Sequence, residues 1–199
     1  MPGIRPKAPQ PLEMVQDFAN TNWLRTGEEH LRDPQSLEGW LSDHALRDST
    51  SHPTPTPTTA PANDADLELA LRLRTSLKRM LARTSQSPAS PAEPQPESES
   101  EAGQFPDLPI LISLGANGHT HARPAVTGVP GALTRILITA WDAERNGTLE
   151  RLKLCAAPDC RWAYYDPSRN KSATWCNMAV CGSRAKSRSY YQRQKSQAL

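Results

Sequence analysis

The chemistry of this chain is concentrated in its four cysteines, at positions 155, 160, 176 and 181 of 199 residues. Each pair encloses four residues, and fifteen separate the pairs. Two close pairs at that distance can converge four thiolates on one ion. Zinc suits such a set, because it imposes no geometry of its own and takes thiolates tetrahedrally at about 2.3 Å. Cys155, Cys160, Cys176 and Cys181 are therefore the candidate ligands of one structural Zn2+ per chain. Two disulfides or an iron–sulfur cluster are the other uses of four such sulfurs. Disulfides require an oxidising compartment, and residues 1–10 show no apolar run that would make an export signal. Four thiolates also close the metal shell, so the expectation is a protein that is not an enzyme. His119 and His121 lie two apart in a Gly-containing stretch without nearby carboxylates, and read as surface residues rather than a second metal site.

Few residues around these cysteines can build a core. Between 155 and 181 the aliphatics are chiefly Met178 and Val180, joined by Trp162, Tyr164, Tyr165 and Trp175. A segment so small does not offset its own ordering entropy, and metal binding would supply the missing free energy. The same region is basic. Residues 151–199 hold ten Lys/Arg against two Asp, a net of +8, which leaves −6 on the rest of a chain whose total is +2. Such a split predicts a basic tip that meets a polyanion, although a solvated basic tail has the same composition. On a helix, Arg184, Arg188, Tyr191 and Lys195 form one stripe, with Lys186, Tyr190 and Arg193 roughly opposite. One stripe is expected to rest on the body while the other meets phosphates. Arg169, Lys171, Arg184, Lys186, Arg188, Tyr191, Arg193 and Lys195 are the candidate nucleic-acid contacts, because guanidinium forks and ammonium groups pair with phosphate.

Upstream lies a body that must carry this module. Leu12, Val15, Phe18 and Ala19 share a face of a helix over residues 12–21. Ser36 is a candidate cap for a second helix with Leu37, Trp40 and Leu41 inward. Asn63 or Asp64 caps a third, whose stripe is Leu67, Ala70, Leu71, Leu77, Met80 and Leu81, with Arg72, Lys78 and Arg79 outside. Residues 108–114 and 120–126 read as a β pair around the turn residues Gly115, Asn117 and Gly118. Pro130 opens a fourth helix bearing Ala132, Leu133, Ile136, Leu137, Ala140 and Trp141, and Gly147 closes or follows it. Residues 50–62 and 84–104 are rich in Pro, Ser, Thr and Glu and read as solvated linkers. Asp17, Asn20 and Thr21 either end the first helix through backbone bonds or line a small-molecule pocket in the body.

These residues have a family pattern. The run Cys155-x4-Cys160, Tyr164-Tyr165-Asp166-x-Ser168-Arg169-Asn170-Lys171-Ser172, Trp175-Cys176-x4-Cys181-Gly182-x-Arg184 and Lys186-x-Arg188-x-Tyr190-Tyr191 closely resembles the CGNR zinc finger. The eponymous tetrapeptide is Cys181-Gly182-Ser183-Arg184 here, with serine in place of asparagine. Both residues can cap a helix, so the geometry is expected to survive. Residues 17–21, Asp-Phe-Ala-Asn-Thr, resemble the opening of the ABATE domain that precedes this finger. The resemblance implies a bacterial, stress-linked transcription regulator.

The expected fold is mainly α with a short β-hairpin: a helical N-terminal body (12–149, interrupted at 50–62 and 84–104) and a four-cysteine zinc module ending in a basic helix (151–196). The expected partner is nucleic acid, double-stranded DNA first. Single-stranded RNA is the alternative if the aromatics are exposed for stacking, and redox or zinc sensing through the thiolates is another. A single small module is compatible with a homodimer. No run of about 18 apolar residues exists, so no membrane partner is expected. The expected location is cytoplasmic, at the nucleoid.

Overall fold

The computed structural model describes residues 6–46, 60–85, 106–116 and 118–197. Residues 50–59 and 86–104 of the two Pro-rich stretches lie outside the described residues. The chain is mainly helical, with three small antiparallel two-stranded sheets.

Helix α1 (Leu12–Ala19) buries Leu12, Val15, Phe18 and Ala19, the face that periodicity assigns. A short ribbon follows, β1 (Asn22–Trp23) with β2 (Glu28–Glu29). Two residues per strand are too few to show alternation, so the sequence gives no sign of it. Gly27 turns the ribbon at φ 73°, and its N–H donates to the Trp23 carbonyl at 2.9 Å. Helix α2 (Pro34–Asp43) is capped by Asp33, not Ser36. Asp33 Oδ1 accepts from the Ser36 N–H at 2.7 Å and Ser36 Oγ accepts from the Asp33 N–H at 3.0 Å. Ser36 is thus the inner partner of a reciprocal cap, and Pro34 takes the first helical position, where no N–H is needed.

Helix α3 (Asp64–Thr84) starts at Asn63, whose side chain accepts from the Asp66 N–H. Its inward face is Ala70, Leu73, Leu77 and Leu81, with Leu67, Leu71 and Met80 half-buried. Two polar residues on α3 depart from the expected pattern. Arg74 is buried and forms a bidentate ion pair with Glu29, Nη1 donating to Oε1 at 2.7 Å and Nη2 to Oε2 at 2.8 Å. Lys78 is not outside: it donates to Asn22 Oδ1, and burial pulls its pKa down to about 8. The Thr84 end of the helix is also used. Thr84 Oγ1 donates to the Leu152 carbonyl at 3.1 Å, and Ser85 Oγ accepts from the Leu154 N–H at 2.7 Å.

Strands β3 (Ile110–Leu114) and β4 (Thr120–Pro124) pair antiparallel, within the expected ranges. Helix α4 (Gly128–Arg145) has Pro130 in its first turn and Gly147, at φ 69°, just past its end. It buries Val129, Ala132, Leu133, Ile136 and Ala140 against α1 and α3. Strands β5 (Leu152–Leu154) and β6 (Ala163–Tyr165) form the third sheet. Leu152, Leu154 and Ala163 belong to the same apolar cluster as the helices. The hairpin that begins the cysteine module is therefore also a wall of the body. Among the described residues, no helix is long and apolar enough to cross a membrane.

Candidate metal centre

Cys155 follows β5 directly, and Cys160 closes the loop before β6. In that loop the Cys160 and Arg161 N–H groups both point back to the Ala157 carbonyl, at 2.9 and 3.2 Å. Arg161 then takes φ 48°, and the chain reverses into β6. Of the second pair, Cys176 lies in the bend before a helical turn and Cys181 lies within that turn. Asn177 caps it, accepting from the Val180 N–H at 3.1 Å. A single π-helical turn (Met178–Gly182) delivers Cys181 and runs straight into α5 (Ser183–Gln197). Gly182 packs beneath Met178 and Trp175, where a Cβ would meet the Met178 sulfur at 2.3 Å. Ser183 is not a cap, since its backbone is already helical and Asn177 caps a turn earlier. The capping role expected of residue 183 is thus filled by Asn177.

The four sulfurs lie within 4.8 Å of one another and all four residues are buried. Cys160 and Cys176 sulfurs are 3.7 Å apart, Cys176 and Cys181 sulfurs 3.8 Å. A tetrahedron with arms of about 2.3 Å has edges of about 3.8 Å, so this donor set fits a tetrahedral thiophilic ion. The same separations are far beyond a sulfur–sulfur bond of about 2.05 Å, and all four cysteines are free. Electrostatics points the same way. The Cys155 thiol is pushed up to about 12 by its hydrogen bond to Cys160, and that contact draws Cys160 down. Cys176 is pushed up by its bonds to Cys155 and Cys160. A shared dication would allow four such groups to carry charge together.

Two buried groups organise the loop between the pairs: Lys153, which nothing in the sequence marks, and Asp166, which the family run includes without a role. Lys153 on β5 and Asp166 after β6 pair at 3.0 Å, with side chains 8% and 0% exposed. Asp166 also accepts from the N–H groups of Ser168 at 3.0 Å and Ala173 at 2.9 Å. Burial alone would raise its pKa, but these donors hold it at about 2. Lys153 donates further to the carbonyls of Lys171 and Ala173. Arg151 closes the ring with bonds to the Asp166 and Ser168 carbonyls.

The body grips this module through α1. Asn20 faces the edge of β6 as a strand partner would: its Oδ1 accepts from the Ala163 N–H and its Nδ2 donates to the Ala163 carbonyl, both at 2.8 Å. Gln16 adds a bond to the same carbonyl at 3.2 Å. Thr21 donates to the Phe18 carbonyl and accepts from Arg74. Asn20 thus joins the body to the finger, while Thr21 ties α1 to α3 within the body, and both side chains are engaged in these bonds. Replacing Asn20 with alanine leaves the buried Ala163 N–H unpaired, and is expected to destabilise the fold by about 2–3 kcal/mol. Urea unfolding should show a lower midpoint at unchanged slope.

The predicted nucleic-acid residues fall into two groups. Arg184, Lys186, Arg188, Tyr191 and Arg193 are exposed on α5, and Lys195 lies near its end. Neither stripe rests on the body, because α5 projects from the metal turn with mainly that turn as its neighbour. Arg169 is exposed in the loop, while Lys171 is half-buried and paired with Glu150. The aromatics surround the centre: Tyr164 is buried, Trp162 and Trp175 are half-buried against it, and Trp162 meets Trp23 edge-to-face at 5.6 Å.

A helical body closed by a four-cysteine module with a basic terminal helix defines a zinc-finger type of protein. The family comparison agrees. Residues 12–149 match the model of the putative stress-induced transcription regulators, ABATE, and residues 151–194 match the CGNR zinc finger. The chain belongs to the ABATE family and ends in a CGNR zinc finger. A search of the curated proteins finds no match to it.

Proposed function

We propose that the chain is a transcription regulator that binds double-stranded DNA through α5, with one structural zinc ion held by Cys155, Cys160, Cys176 and Cys181. The observation that carries this reading is the character of α5. Its fifteen residues include Arg184, Lys186, Arg188, Arg193 and Lys195 and no acidic residue. It starts two residues after a cysteine of the cluster, so the metal would fix its base. Zinc would supply cohesion, and four thiolates leave it no open position, so the role is not enzymatic. The reading places the protein in the cytoplasm, at the nucleoid.

The RNA alternative needs Trp162, Tyr164, Tyr165 or Trp175 exposed for stacking, and these are buried or half-buried, which leaves Tyr190 and Tyr191 of α5 as the exposed aromatics of the finger. The sensing alternative needs accessible thiolates, and all four are buried. DNA binding accordingly stands first.

The test is binding of the zinc-loaded full chain to a short duplex across a salt series. Arg184, Arg188 and Tyr191 border a groove of about 510 Å³ beside the metal turn, and Lys186 and Arg193 do not. The Arg184→Ala/Arg188→Ala variant should weaken binding more than Lys186→Ala/Arg193→Ala. If it loses two phosphate contacts, its slope of log affinity against log salt should be shallower by about 2. Unchanged binding by both zinc-loaded variants, to duplex and to single-stranded RNA alike, would end the nucleic-acid reading. Weakened binding to RNA alone would make the function post-transcriptional.

A further inference from the structure

We propose that Arg25, in the N-terminal body, is a positioning residue of the metal centre: it donates a charged hydrogen bond to the Cys181 thiolate, so the centre is completed by both parts of the chain. The inference rests on the zinc reading above. Arg25 Nη2 lies 3.3 Å from Cys181 Sγ, across 156 positions of sequence. Its side chain is only 16% exposed.

The charge of the site calls for such a donor. One divalent ion with four thiolates carries a net −2, and the four cysteines are at most 4% exposed. Burying that charge is costly unless hydrogen-bond donors face the sulfurs. Cys155 receives backbone N–H groups from Ala157 and Cys176, and Cys160 receives that of Trp162. Cys181 receives the guanidinium of Arg25. This sulfur is also the last one before α5, so its electron density and position bear on the helix more directly than those of the other three.

Arg25 is held for the task. It stands in the turn between β1 and β2, and Arg74 of α3 clamps that ribbon through both oxygens of Glu29. Asp159 Oδ2 lies 3.3 Å from Arg25 Nε, an ion pair without the geometry of a hydrogen bond, and places a negative charge beside the other edge of the fork. The same carboxylate oxygen accepts from Arg184 Nη1 at 3.4 Å. Body, metal loop and basic helix thus meet at one guanidinium–carboxylate–guanidinium chain. A donor held by surrounding packing and ion pairs tunes a metal site from outside its ligand set.

The test uses the full chain with zinc and with cobalt(II) in its place. Arg25→Gln should lower zinc affinity by about tenfold or more in chelator competition. It should also move the sulfur-to-cobalt charge-transfer band to lower energy, because an unbonded thiolate gives up its electrons more readily. Arg25→Lys keeps the charge and should recover much of both changes. Asn20→Ala loosens the same two parts without touching a sulfur, and should leave the band in place. An Arg25→Gln protein with wild-type affinity and band overturns the proposal. So does one whose affinity falls while the band stays, since that marks a mere clamp. If Arg25→Gln fails to fold, Arg25→Met, which keeps the length and has no donor, decides: a band moved to lower energy supports the proposal, and a band left in place overturns it. Wild-type protein that takes up neither metal would instead remove the zinc reading itself.

Discussion

Cys176→Ser should strip the metal from the protein and release the chain from about residue 167 onward. Serine offers no thiolate, and three sulfurs leave the ion exposed to water and chelators. In small fingers a structural zinc contributes about 10–16 kcal/mol, far more than the few aromatics around it can replace. The loss should nevertheless stop at a defined place. Leu152, Leu154 and Ala163 are packed with the helices, and Asn20, Thr84 and Ser85 bond to the same hairpin. Hydrogen exchange of the variant should show α1, α3, α4 and the β5–β6 hairpin protected, with α5 and the preceding loop exchanging freely. Zinc retained at one equivalent would refute the ligand assignment. Loss of protection throughout the helices would show that body and finger fold as one unit.

Asp166→Asn should destabilise the metal-loaded protein by about 3–5 kcal/mol, the usual result of breaking a buried ion pair from one side. Lys153 would be left charged with a side chain only 8% exposed. The pH dependence has a definite sign. The folded carboxyl is held at about 2, below an unfolded value of about 3.9. Its contribution is therefore complete above about pH 4 and lost only as pH falls toward 2. The gap between wild type and variant should stay constant from about pH 8 to pH 5, where the carboxylate remains ionised. A gap that narrows in this range, or one below about 1 kcal/mol, would mean the pair is weakly held.

What was legible in the sequence is the chemistry that needs few residue types at short spacing. Four cysteines in two pairs announce a metal set, and Leu12, Val15, Phe18 and Ala19 announce a buried helix face. The missed features all depend on contacts between distant segments. Lys153 reads as one more positive charge on a basic tip, yet it is buried between two leucines that face the body. Asp166 is one of two acids in that tip, and its role shows only once the loop folds back on it. Arg25 precedes its sulfur by most of the chain. Asn20 was recognisable as part of a family motif, but periodicity gives no reason for a strand far downstream to need a side chain in place of a neighbouring strand.

The way α5 is mounted has a mechanical consequence. It is a lever with its fulcrum at Cys181 and its length in solvent. Fifteen residues at about 1.5 Å each make an arm of about 22 Å. A tilt of about 10° at the fulcrum therefore carries the far end through about 4 Å, roughly the step between neighbouring base pairs. Small changes in how the sulfurs seat their ion would thus be magnified into a choice of where along a duplex the tip comes down.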